Sequence, residues 1–199
     1  MAAPLRYRLR EKLPEILIEA GSVLLALLLA FAANAWHEHH ERVELAAQAR
    51  IAILDELASN RKFLDHSLAT LDAAIEQARD RLNSPDKQTG MFRFPYSSLL
   101  PSSAAWSSAQ GTGAIRGVDY AWTLKIARVY ELQNLFLRAQ QRVMNPPTPA
   151  VVPGMEKAGS PARKLFHQLQ LKQLLARMQV LANIGANLKR TYAAVLDSR

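Results

Sequence analysis

The 199-residue chain contains no cysteine, and that absence removes several chemistries at once. A disulfide-stapled scaffold, a thiol nucleophile, a zinc ribbon and an iron–sulfur site all need the missing sulfur. No G-x-S-x-G elbow occurs, and the histidines nearest to the serines of 97–108 are His66 and His167, both in stretches that read as helix. The glycines of Gly111-Thr112-Gly113-Ala114-Ile115-Arg116-Gly117 do not make a nucleotide loop: Arg116 takes the last glycine position of G-x-G-x-x-G, no strand precedes it, and no Lys-Ser/Thr follows. The expectation is a non-enzymatic protein with no cofactor, no catalytic residue and no metal.

Acidic residues are scarce in the second half. Between His37 and Asp86 there are six Lys+Arg against ten Asp+Glu, whereas from Lys87 to Arg199 there are fifteen against four. An acidic first helix lying against basic ones explains part of this imbalance. The alternative is a basic outer surface that meets anionic headgroups, an acidic partner or polymeric anions. No specific nucleic-acid binding is expected. With 49% hydrophobic residues the chain is not a polar disordered polymer, and a mean hydropathy of −0.08 does not suit a many-pass membrane protein.

The apolar residues that matter most are contiguous, from Ile16 to Trp36 (ILIEAGSVLLALLLAFAANAW). At 1.5 Å per residue this run spans roughly 31 Å, about the hydrocarbon thickness of a bilayer. Arg6, Arg8, Arg10 and Lys12 precede it, while the twenty residues after it carry Arg42 and Arg50 against five acids. The positive-inside bias therefore places residues 1–15 in the cytoplasm as a basic tail, 16–36 across the bilayer and 37–199 beyond it, in the periplasm of a bacterial inner membrane. A cleaved signal peptide competes with this reading, since Ala33-Asn34-Ala35 has the small-x-small processing pattern and cleavage after Ala35 would release a secreted protein. Against cleavage stand an apolar run longer than a usual signal core and a helical pattern that continues through the site.

Within the run, Glu19 reads either as an intramembrane functional carboxylate or as a shallow one reaching back to the headgroups. Ser22, Ala26, Ala30 and Asn34 recur every four residues and form a small-residue face suited to a homodimer or a membrane partner. Just past Trp36, His37, His39 and His40 with Glu38 and Glu41 read either as a hydrated juxtamembrane patch or as a two- or three-ligand metal site or pH-sensitive collar.

Beyond the anchor the pattern predicts helices over about 37–82, 103–110, 120–144 and 161–197. The fold class expected is all-α: a transmembrane helix continuing into an antiparallel bundle of about three long helices with a short capping helix. The first helix should pack through Val43, Ala47, Arg50, Leu54, Leu57, Arg61, Leu64, Leu68, Leu71, Ile75, Ala78 and Leu82, a heptad seam broken at the two arginines. The last should use Leu171, Leu174, Met178, Leu181, Gly185, Leu188, Tyr192 and Val195. The third helix is apolar over more than one face, as a helix flanked by two others would be. Residues 87–119 make a connection too apolar to be a solvated loop, and their Phe92, Phe94, Tyr96 and Trp106 are the candidate interaction residues.

Glu15-Ile16-Leu17-Ile18, Gly21, Leu25-Ala26-Leu27, Asn34-Ala35-Trp36 and Leu54-Asp55-Glu56-Leu57 resemble the start of a family of bacterial single-pass membrane proteins known only as a domain of unknown function. Ala105-Trp106, Gly113, Ile115 and Tyr130 are similar to that family's Trp…Gly-hydrophobic…Tyr pattern. The resemblance, over about Glu15 to Tyr130, implies an uncleaved anchor with a helical extracytoplasmic domain and implies no activity. Glu19 and the doubled glycines Gly111 and Gly113 depart from the pattern.

Function is then expected to be that of a membrane-anchored helical module for protein–protein interaction or scaffolding. A small-molecule-sensing input domain acting through a membrane partner is the alternative of a different class.

Overall fold

A computed structural model describes residues 5–84, 101–145 and 161–197, with side chains from Leu17 onward outside positions 161–162. Phe92, Phe94 and Tyr96 lie outside the described residues. Among those described there are four α-helices and no strand: α1 (Leu5–Asn83), α2 (Ala104–Gly111), α3 (Tyr120–Met144) and α4 (Pro161–Leu196), with a 3₁₀ turn at Ala114–Gly117 between α2 and α3.

α1 is a single helix of 79 residues, about 120 Å long, and its two parts have opposite relations to the protein. It is the one helix among the described residues long and apolar enough to cross a membrane, and none of its apolar window is buried in the protein. Trp36 is 71% exposed, yet Ile53 and Leu57 are fully buried, and the first buried residue is Ala46. Helical geometry is unbroken through Ala33-Asn34-Ala35.

The contacts between helices fix their directions. Along α1, Arg50 lies against Trp122, Glu56 against Tyr130 and Asn60 against Gln133, so α3 runs parallel to α1. Asp65 pairs with Lys189, and Gly185 sits against Leu68, so α4 runs antiparallel to α1. Gly185 also faces Phe136 and Tyr192 bonds Gln133, which makes α4 antiparallel to α3 as well. The antiparallel relation thus holds for α4 against both partners, while α1 and α3 point the same way.

Such a parallel pair needs a return between its members, and α2 with the 3₁₀ turn supplies the last part of it. Ser102 lies beside Asn60 and Ala105 beside Glu56, while Gly117 lies on the backbone of Arg42. The short helix therefore runs down the flank of α1 and does not cap an end of the bundle, as its composition had suggested. At Gly117 the approach is so close that a Cβ would stand 2.8 Å from Cβ of Ala46 and 3.0 Å from the Arg42 carbonyl oxygen. Gly113 opens the 3₁₀ turn with φ of 75°, a left-handed conformation that glycine adopts without strain. Asp119 then starts α3, its Oδ1 accepting the Trp122 N–H at 2.8 Å as a helix N-cap.

The core joins Ile53, Leu57, Leu64, Leu71 and Ala78 of α1 to Ile126, Val129 and Phe136 of α3 and to Met178, Leu181, Leu188 and Tyr192 of α4. On α4 the buried positions follow the anticipated seam. On α1 the lower seam is rotated: Val43, Ala47 and Arg50 are exposed, and Ala46, Ile53, Asn60 and Ser67 are buried in place of the arginine breaks. Steps of three and four still describe that stripe, but it passes through two polar residues, and the cost of burying them has to be offset by partners.

Candidate functional site

The partners of the buried amides are the return segment itself. The Asn60 side chain closes a ring on the backbone of Ser102: its Oδ1 accepts the Ser102 N–H at 2.8 Å, and its Nδ2 donates to the Ser102 carbonyl at 2.7 Å. The second Nδ2 hydrogen reaches Oε1 of Gln133 at 3.2 Å. Gln133 in turn donates from Nε2 to the same Ser102 carbonyl at 3.0 Å and to that of Pro101 at 3.5 Å, and its Oε1 also accepts the Tyr192 hydroxyl at 2.7 Å. Asn60 and Gln133 are each 1% exposed, and every donor hydrogen of both amides has an acceptor. Three helices and the return segment are thereby tied at one level.

One turn earlier, Glu56 holds the start of α2. Its Oε2 accepts the Ser102 hydroxyl at 2.6 Å and the Ala105 N–H at 3.0 Å, while Oε1 accepts the Tyr130 hydroxyl at 2.6 Å. Ser103, the residue at the N-cap position of α2, makes no side-chain cap. A carboxylate from another helix does that work instead, and negative charge is favoured at this helix end. Burial raises the Glu56 pKa, but the hydrogen bonds from Ser102, Tyr130, Ala105 and Ala104 outweigh it and hold the carboxyl below its ordinary value of 4.5. Burial pushes the Tyr130 phenol far up, reinforced by its bond to Glu56; burial and the Glu56 charge do the same to Tyr192. Both phenols stay neutral donors, which suits a fixed scaffold and gives no base or nucleophile.

Two cavities border this network. The inner one, beside Asn60, Ser67 and Tyr192, holds about 10 Å³, room for about one water and no ligand. The outer one is an open groove of about 340 Å³ between α2 and α3. Trp106 and Tyr130 line it, their rings 5.4 Å apart and 13° from parallel in an offset stack. Ser103 at the N-cap of α2 and Ser107 and Gln110 within it add polar groups, and α3 adds Glu131 and Asn134. Trp106, a candidate interaction residue, is therefore a half-buried wall of a mixed-polarity groove.

The remaining candidates are dispersed along α1. Ser22, Ala26, Ala30 and Asn34 are all exposed; the Ser22 hydroxyl donates to the Glu19 carbonyl at 2.8 Å and Asn34 Nδ2 to Oε1 of Glu38 at 2.7 Å. His37 pairs with Glu41 at 3.1 Å, and His40 stacks on Trp36 with centroids 5.7 Å apart. Among the described residues no group of three or more His, Asp or Glu converges as a metal site would require.

Sequence reasoning missed Glu56, Asn60 and Gln133. A signal existed for two of them: Asn60 lies between Leu57 and Leu64, and Gln133 between Val129 and Phe136, each on an apolar stripe where a lone amide marks a buried polar tie. Nothing local pairs Glu56 with a helix start almost fifty residues away.

Comparison with protein-family models, curated proteins and solved structures gives no match to this chain.

Proposed function

We propose that the chain is a single-pass membrane protein of the bacterial inner membrane, with a cytoplasmic N-terminus and a periplasmic three-helix module that works by binding a protein partner, without catalysis. The observation that carries this reading is the continuity of α1, which passes without a break from an apolar, wholly exposed half into the core of the module. A rigid helical joint of this kind holds a recognition surface at a set height above the bilayer, which suits a scaffold or interaction component. The exposed cations Lys125, Arg128, Arg138 and Arg142 of α3 give that surface a basic character fitted to an acidic partner. The family resemblance implies the same anchored arrangement.

Crosslinking in membranes, followed by purification of the intact chain in detergent, tests the proposal. A discrete heteromeric or homodimeric adduct is expected, and recovery of free monomer alone contradicts it.

The α2–α3 groove favours a second reading, an input domain that binds a small molecule and acts through a membrane partner. Its walls come from two elements joined through Glu56 and Tyr130, so a ligand wedged between them acts directly on the tie that holds α2.

A further inference from the structure

We infer that the α2–α3 groove is a carbohydrate site that takes a neutral pyranose ring against Trp106. The inference rests on the second reading above and names its ligand class. The composition of the groove decides between the classes. No Lys or Arg lines it and Glu131 does, so a phosphate or carboxylate ligand would meet a like charge with no counter-ion. An apolar ligand would strip water from Ser103, Ser107, Gln110, Asn134 and Glu131 and return no hydrogen bond to any of them. An organic cation satisfies Glu131 and an aromatic face. It leaves the hydroxyls and amides without a function.

A neutral sugar uses every one of these features. Its ring hydroxyls are donors and acceptors in alternation, as the amides of Gln110 and Asn134 and the two serine hydroxyls are, and Glu131 accepts from a hydroxyl without needing a positive partner. The C–H face of a pyranose is apolar with a slight positive polarisation, which suits the negative face of an indole ring. Stacking on Tyr130 fixes the Trp106 ring, and Tyr130 is itself fixed by Glu56, so the plate is preorganised and little order has to be imposed on binding. At about 340 Å³ the groove falls within the range of about 300–1,000 Å³ used by small-molecule sites, whereas the inner cavity takes water only.

The test uses the full chain in nanodiscs of phosphatidylethanolamine and phosphatidylglycerol, which present neither a sugar ring nor a quaternary ammonium. Chitotetraose and cellotetraose are the probes, with tetramethylammonium as the competing class, read by calorimetry and saturation-transfer NMR. Saturable binding of at least one saccharide is expected, with Kd between about 10 μM and 1 mM. Trp106→Ala should weaken it about tenfold or more and Trp106→Phe by less. Because Trp106 also packs on Tyr130, the exposed rim variants Gln110→Ala and Asn134→Ala provide the fold-neutral arm. Each should weaken binding about threefold with an unchanged melting curve. Binding that is the same in all four variants overturns the assignment. Saturable tetramethylammonium binding without saccharide binding overturns the ligand class and leaves the input-domain reading in place; no binding of either probe class up to about 10 mM overturns both.

Discussion

Asn60 of α1 and the backbone of Ser102 form a closed two-way hydrogen-bonded ring, with Oδ1 to N–H at 2.8 Å and Nδ2 to C=O at 2.7 Å. The side-chain amide here satisfies both backbone groups of a residue that belongs to no helix or strand. Position 60 is therefore an asparagine for reasons of donor and acceptor geometry, although it occupies a core position of a helix that otherwise buries leucine and isoleucine.

Asn60→Ala should be among the most damaging single substitutions in the module. It leaves the Ser102 N–H without its acceptor and removes one of the two donors to Gln133 Oε1, in addition to opening space in the core. We expect a loss of about 3 kcal/mol, or roughly 10 °C in Tm, with the Ser102 and Ala105 amides losing hydrogen-exchange protection before those of Ile126 or Leu181. Uniform loss of protection across all helices would show that the return segment is not a separable unit.

Glu56 makes stability depend on pH with a definite sign. Its carboxyl is held below the ordinary value in the folded chain, so its stabilisation is complete above about pH 4.5, where the unfolded group is ionised, and is lost as pH falls through the lower folded value. Glu56→Gln removes the charge and one acceptor, because an amide nitrogen cannot accept from Ala105 or Ser102. The variant should be about 2 kcal/mol less stable at pH 7 and should show a shallower decline on acidification than the parent chain. Equal acid slopes in urea titrations at pH 3 to 7 would contradict the capping role.

Gly185 stands where the three long helices meet. A Cβ there would lie 2.5 Å from Cδ2 of Leu68 and 3.0 Å from Cε2 of Phe136. Gly185→Val should therefore cost about 2–3 kcal/mol through overpacking, even though glycine is a poor helix former. In Gly185→Ala the clash is smaller and is partly offset by about 1 kcal/mol of helix propensity, which predicts a clearly smaller loss in thermal or denaturant unfolding. Two equally stable variants would argue against this crossing.

Much of the architecture is legible in residue pattern alone. The apolar run to Trp36, the α4 stripe through Met178, Gly185 and Tyr192, and the breadth of the apolar surface on α3 are all one-dimensional signals of period or length. The rotation of the lower α1 seam is not, because Asn60 and Ser67 look outward by hydropathy and become inward only when partners such as Ser102 and Gln133, from distant segments, satisfy them. For the same reason composition placed α2 over an end of the bundle. Its true position is decided by Glu56 reaching the Ala105 N–H and by the lack of a Cβ at Gly117, and neither fact has a local signature. Trp106 was visible as a candidate; the hydroxyls and amides that share its groove come from two elements and were not.

The apolar first part of α1 and the module should be energetically independent. None of the apolar window of α1 is buried and the core begins at Ala46, so a chain starting at residue 37 keeps every buried contact. It should remain helical and melt cooperatively without detergent, within about 1 kcal/mol of the full chain. A molten or aggregated product would show that the first part of α1 packs on the rest.

In the proposed topology α1 crosses the membrane once, with the N-terminus inside and the module outside. Because the chain has no cysteine, a single introduced thiol is an unambiguous probe. Ala3→Cys and Ser107→Cys are compared in intact spheroplasts with a membrane-impermeant maleimide. Ser107→Cys is expected to be labelled at once and Ala3→Cys only after the membrane is permeabilised. Labelling of Ala3→Cys from outside with protection of Ser107→Cys, or labelling of both, would contradict this topology.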